Sequence, residues 1–416
     1  MAVTPSTITE LNDLAKDYFS NVYQPLMNTE TPLKAQFARL ENAQFTGKKW
    51  IFGTKTATGG AAANAGANKS LPAADVGKYD QGEATLIRTY TRMALDNLAI
   101  EVTKMQQGSY RPAVAETMAD RLDAHDLEVN RQMFCGGDGK VALVSAGATS
   151  STQTFGSDYG VTNGGAGVRH VNVGDAIQFY DTTGATLRAG GPFTVTSVNT
   201  SANTAVLSGA PATTTGDFAT KATADTDNKT AGEAQGLLAS VATTAAFEQI
   251  THNRWQSTVD SNGGTLRDLT DSILIKNIAT IRSASRKIPN LAVCRPGVVL
   301  KYSETFLPLR RIMGQDIKLQ GGYVPVTGLQ HAGGVIPVLE DLDCPESRLF
   351  LLNTEAFRMA DLVGSEWFDG DGASFSRVVD KDSVEGFIRK YWQLITIQRN
   401  ANGVITDLND YSAIQR

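Results

Sequence analysis

Cysteine is scarce: Cys135, Cys294 and Cys344 are the only ones in 416 residues, far apart and odd in number. That excludes a disulfide framework and any cysteine-based zinc motif, and it suits a reducing compartment. Long apolar runs are missing too; nothing approaches the ~20 apolar residues of a membrane span. Asp13, Lys16 and Asp17 interrupt what a secretory signal would need as its apolar core, so the expectation is a soluble protein that folds in the cytosol. Positive charge is not in excess. The formal net charge is -5 and the pI about 5.5. A dedicated nucleic-acid binder would be basic, so only weak contact through local patches is expected.

Signatures of catalysis are equally sparse. Gly47-Lys48, Gly77-Lys78 and Gly139-Lys140 lack the upstream glycine of a phosphate-binding loop, and Gly164-Gly-Ala-Gly opens no helix after a strand. Neither HExxH nor GxSxG occurs. His125, His170, His252 and His331 are scattered singly, whereas a metal site needs converging ligands. His125, among acids on a long helix, reads as a partly solvated ion-pairing residue. Phe368-Asp-Gly-Asp-Gly and Gly137-Asp-Gly read as turns, being too short for a calcium loop. Cys135 follows a helix, where the dipole disfavours a thiolate, and reads as a buried structural thiol. No catalytic residue, metal ligand or cofactor is expected, and the chain is not read as an enzyme.

What is present is enough apolar residue, 41%, to build a core. The length suits two or three packed units with extensions. Residues 5–30 place Ile8, Leu11, Leu14, Ala15, Tyr18, Phe19 and Val22 at helical spacing, with Glu10, Asp13, Lys16 and Asp17 on the other face. This helix either packs on its own domain or lies as an arm on a neighbour. Trp50, Ile51 and Phe52 form a strand-like run, and strand-like residues return from Glu83 to Met93. The Gly/Ala/Asn-rich stretch between them cannot bury a core, and the flanking strands favour a long hairpin. Residues 111–135 carry an apolar stripe of Val114, Met118, Leu122, Val129 and Met133 opposite Glu116, Asp120, Asp123, Asp126 and Glu128. Gly136-Gly-Asp-Gly stops that helix.

Residues 141–233, rich in Thr, Ser, Gly and Val, read as a small all-β unit. Its strands are Val171–Asp175, Ile177–Tyr180, Phe193–Val198 and Ala205–Ser208. A helix over Leu266–Lys287 follows, then strands at Leu291–Cys294, Val335–Leu339 and Arg348–Leu352. Val384–Ile388 and Tyr391–Gln398 read as two closing strands, the second central in its sheet.

This order of segments resembles the major capsid proteins of tailed bacteriophages, which have the Hong-Kong-ninety-seven fold. The resemblance rests on the arm, the Gly/Ala-rich loop and the acidic-faced helix ending in Val129-Asn-Arg-Gln-Met-Phe-Cys-Gly-Gly-Asp-Gly. It continues through the β-rich insertion and mixed region to Tyr391-Trp-Gln-Leu-Ile-Thr-Ile-Gln-Arg-Asn. Segment order carries it; no single motif is specific. It implies an α+β fold with N-arm (1–45), extended E-loop hairpin (46–92), peripheral domain with the long spine helix (93–140), an inserted all-β domain (141–233), an axial domain (234–360) and a return through the peripheral strands (361–416). It implies self-assembly into pentamers and hexamers of an icosahedral shell. That shell is the virion capsid, assembled in host cytoplasm around packaged double-stranded DNA that is contacted non-specifically. Scaffolding, portal and decoration proteins would be partners; no membrane and no cofactor are implied. Trp50, Ile51, Phe52, Lys69 and Lys78 are the candidate inter-subunit contacts. Some family members crosslink a loop lysine to an asparagine, but no motif here identifies such a pair. A competing reading takes the Thr/Ser-rich unit as a secreted-type adhesin or glycan-binding module, able to fold alone.

Overall fold

The computed structural model describes residues 30–37, 39–40, 49–59, 64, 76–104, 113–223, 226–305, 328–331, 334–369, 375–378 and 381–411. The expected N-terminal helix, apart from residue 30, most of the Gly/Ala-rich stretch, and Lys69 lie outside them. The described residues form two compact units. One takes Tyr90–His125 and Ser365–Arg389; the other takes Glu30–Thr89, Asp126–Gly364 and Lys390 onward.

β1 (Arg39–Leu40) is followed by β2 (Lys49–Ala57) and β3 (Lys78–Thr85), which pair antiparallel from Lys49↔Thr85 to Ala57↔Lys78. β4 (Ile87–Asp96) runs into α1 (Asn97–Lys104), and α2 (Ala113–Phe134) comes next. At 22 residues and ~1.5 Å per residue, α2 is a rod of about 33 Å. Val129, Met133 and Phe134 at its C-terminal end are fully buried. The helix stops where expected. Gly137 and Gly139 both take positive φ, and a side chain on Gly139 would strike the Lys229 backbone at 2.5 Å.

The β-rich region closes into a barrel. β5 (Ala142–Ala146), β6 (Thr152–Asp158), β7 (Ala176–Tyr180), β8 (Phe193–Asn199), β9 (Thr204–Leu207) and β10 (Phe218–Lys221) are joined in the order β10-β5-β6-β9-β8-β7. Alternate residues fill it, among them Val144, Phe155, Ile177, Phe179, Phe193, Val195, Ala205 and Leu207. Val171–Asp175, expected as a strand, is a turn. Asp175 reaches back to accept the Asn172 N–H at 3.0 Å, and Gly174 takes φ 91°.

Short helices α3 (Asn228–Ala231) and α4 (Leu237–Ser240) lead to the small hairpin β11 (Ala246–Phe247) and β12 (Ile250–Thr251), then to β13 (Thr258–Asp260). α5 (Asp271–Ser285) starts later than its periodicity suggests because Thr270 caps it, accepting the Ile273 N–H at 3.4 Å. β14 (Leu291–Cys294), α6 (Pro296–Thr305), β15 (Gly328–His331), β16 (Gly334–Glu340) and β17 (Leu349–Leu352) follow. Then come β18 (Phe357–Trp367), β19 (Ser376–Arg377), β20 (Ser383–Thr396) and β21 (Gly403–Ile405).

A mixed six-stranded sheet runs β13-β21-β17-β14-β16-β15, with α5 and α6 residues packed on its apolar side chains. A second sheet runs β1-β18-β20-β19, with β4 also on β20. The two expected closing strands are one strand of 14 residues, since nothing between Ile388 and Tyr391 breaks the backbone. Lys390, which reads as an interruption, is buried and donates to Asp361 at 2.9 Å. The chain passes between the two units inside β4, α2, β18 and β20.

Candidate functional site

The β2–β3 hairpin has a fixed root and a bare remainder. At the root, Phe52 sits opposite Gly82, and its ring lies where a Gly82 side chain would be, 2.4 Å from an added Cβ. The ring packs 6.4 Å from that of Trp255, with Ala84, Phe247, Ile250, Ala360 and Ile395 completing the cluster. The Glu83 N–H donates to the Glu248 carbonyl at 2.9 Å. On the other face of the root Ile51 is 52% exposed, and toward the tip Tyr79 is 69% and Val76 77% exposed. Among the described residues β2 and β3 pair only with each other. A lone two-stranded ribbon is marginal in water.

The five candidate contact residues fall differently. Ile51 and Lys78 are exposed on the hairpin. Trp50 is half-buried, its ring 5.1 Å from that of Phe52. Phe52 itself is spent on its own chain, because strand alternation turns it to the opposite face from Ile51. Lys69 lies outside the described residues. Tyr79 and Val76, exposed beside Lys78, were not among the candidates, although an aromatic next to that lysine was the available signal.

α2 is a second unusual surface. Its apolar stripe is covered at Val129 and Met133, yet Leu122 is 37% exposed, and every residue from Ala119 to Ala124 is exposed. Six consecutive exposed residues sweep more than a full helical turn. His125, expected to be partly solvated, is fully buried and shares a hydrogen bond of 3.0 Å with the Thr91 hydroxyl. The helix thus changes from bare to covered within one residue.

The remaining concentration of chemistry is internal. Tyr159 donates to the Asp343 carbonyl at 2.9 Å, and Arg169 donates to the Cys344 carbonyl at 3.1 Å and pairs with Asp158. Asn163 donates to the Gly264 carbonyl and to Asp407, and the Ala166 N–H to Glu346, which pairs with Arg295. Burial opposes ionisation of Asp158, but Arg169, His170 and Arg295 together outweigh it and hold the carboxyl below its usual value. Burial pushes His170 down to about 4, so it is neutral at pH 7. Burial likewise pushes the Cys135 thiol well up, and its Sγ donates to the Ala234 carbonyl at 3.1 Å. Apart from the half-buried Asn163 and the exposed Gly264, these groups are closed off from solvent, and they tie the segment after β6 to loops of the mixed sheet. Among the described residues no cluster of His, Cys, Asp and Glu suits a metal ion, and no helix is long and apolar enough to cross a membrane.

The chain has the fold of tailed-phage major capsid proteins. Among solved structures, the capsid subunit of cyanophage A-1(L) is similar with a TM-score of 0.52 and 15% identity, over 95% of this chain and 98% of that one. A structure from Mycobacterium phage Bobi is similar with a TM-score of 0.51 and 7% identity, over 98% and 100%. The capsid of a native GTA particle gives 0.50 and 10%, over 98% and 100%. No family model matches the sequence, and no curated protein does.

Proposed function

We propose that the chain is a major capsid protein, a subunit that assembles into hexamers and pentamers of an icosahedral shell around packaged phage DNA and carries no active site. The observation that carries this reading is the end-to-end likeness, 95% of this chain on 98% of a cyanophage capsid subunit. In this reading residues 1–45 are the N-arm, 46–92 the E-loop, 93–140 the peripheral domain with its spine helix, 141–233 an insertion, 234–360 the axial domain and 361–416 the return. Ile51, Tyr79, Val76 and Lys78 lie against a neighbouring copy, while Phe52 fixes the root. Scaffolding, portal and decoration proteins are the expected partners, and the shell is built in the host cytoplasm.

The energetics favour this use of the hairpin. Ordering a loop costs ~1–2 kcal/mol per residue, and a bare ribbon recovers little of that alone. Obligate assemblies bury ~2,000–5,000 Å² per interface, enough to offset it. The glycan-binding alternative needs a barrel that stands alone. Here the segment leaving β6 is tied by buried hydrogen bonds to Asp343 and Cys344 and by further bonds to Gly264 and Asp407, and nothing supports that reading.

Sedimentation and electron microscopy of the purified full chain, with and without co-expressed phage structural proteins, test the proposal. Rings, sheets or closed shells are expected. Material that stays monomeric in both conditions would refute it.

A further inference from the structure

The turn beneath the hairpin root is strained. Phe247 pairs with Ile250, so Glu248 and Gln249 form a two-residue loop, with φ of 50° and 68°. Such loops favour Asn-Gly, because ordinary side chains resist the left-handed region. Glu-Gln is held there by its surroundings, and strain of this kind points to a use.

That use is visible in what Glu248 touches. Its carbonyl accepts the Glu83 N–H of β3 at 2.9 Å, and its carboxyl Oε1 accepts the Thr396 N–H at the end of β20 at 3.2 Å. The residue is 6% exposed, and Oε2 has no hydrogen-bond partner. One residue therefore joins the hairpin root to the strand below it, with half of its carboxyl unsolvated. The charged groups on the elements around it include Arg399, Glu83, Lys49, His252 and Arg254. Arg399 lies over the Phe247 ring at 4.5 Å and spends its guanidinium on Ala239, Ser240 and Thr244. Glu83 is paired with Lys49 at 2.5 Å, and the Arg254 N–H donates to His252 Nδ1. None of these gives Glu248 a direct counter-ion.

We propose that Glu248 is a proton-controlled latch: with a neutral carboxyl it locks the root of the β2–β3 hairpin, and loss of its proton releases that root. Burial pushes this carboxyl up to about 8, against the smaller opposing effects of the Thr396 N–H and Arg399. The sign follows. A carboxyl whose folded pKa is raised stabilises the closed form fully below its ordinary value of 4.5, and that stabilisation is lost as pH rises through about 8. The latch is local and does not depend on the capsid reading.

Hydrogen exchange on the full chain between pH 6 and 10 tests it, read as protection after correction for intrinsic exchange. In the wild type, protection of the Glu83 and Thr396 amides should fall about tenfold per pH unit from pH 6 to about 8 and level off above that, as for release of one proton on opening. Amides of β14 should stay flat. Glu248→Gln keeps the acceptor without the charge and should abolish the pH dependence. Glu248→Asn combined with Gln249→Gly suits the turn and guards against a folding failure; it should also be flat. Wild-type protection that does not change with pH, or a fall that persists in the double variant, overturns the proposal.

Discussion

At the residue scale, the buried pair of Asp158 and Arg169 shows how little local sequence says about the interior. Arg169 is followed by His170 in a Gly-rich loop, where both look like surface residues. Both are buried; Arg169 pairs with Asp158 but also reaches the Cys344 carbonyl 175 positions away, and His170 lies 4.0 Å from Asp343. His125 misled for the same reason, since its neighbours on the helix are acids but its bond is to Thr91. Cys135, by contrast, was legible from its place at a helix end. A desolvated ion pair adds little net stability, but breaking one is costly because a bare charge stays behind. Arg169→Met should therefore destabilise the unassembled chain by about 3–5 kcal/mol in urea unfolding. Adding Asp158→Asn, which removes the stranded charge, should recover part of that loss. If the double variant is no better than the single, the penalty is one of packing and the charge argument fails.

At the element scale, periodicity identified segments well and their limits less well. α2, the barrel strands Ile177–Tyr180 and Phe193–Val198, and the buried β14 all followed from pattern and punctuation. α5 began late because Thr270 offered a cap that the apolar spacing ignored. β20 ran unbroken because Lys390 found Asp361, a pairing no spacing reveals. The hairpin was legible as a hairpin, but not which of Ile51 and Phe52 faced inward, since alternation fixes relative faces and leaves their assignment to packing. Gly82 decides it by admitting the Phe52 ring. Gly82→Val should expel that ring and destabilise the chain by ~1–3 kcal/mol in thermal or urea unfolding. Hydrogen exchange should rise across β2 and β3 while the barrel stays protected. Uniform loss of protection across the chain would mean that the root is not a separate hinge of stability.

At the scale of the whole molecule, the question is why a helix with a continuous apolar stripe is covered over only part of its length. An isolated helical turn is unstable in water, and tertiary packing normally supplies what propensity does not. Val129 and Met133 receive that packing from their own chain; Leu122, on the same stripe, is 37% exposed. The sequence showed the stripe but not its uncovered part, because cover is a property of the folded chain and of its copies. In the capsid reading, a neighbouring copy covers Ala119–Ala124, and the helix is completed by assembly. Leu122→Lys separates the two contributions, since lysine is nearly as good a helix former as leucine. An exposed substitution of this kind should change the stability of the unassembled chain by no more than about 0.5 kcal/mol. The same charge placed in an apolar contact between copies should sharply lower the yield of sedimenting shells at equal protein concentration. If the variant assembles as well as the wild type, the bare turn faces solvent in the particle, and the contacts that close the shell must come from the hairpin and the N-terminal residues alone.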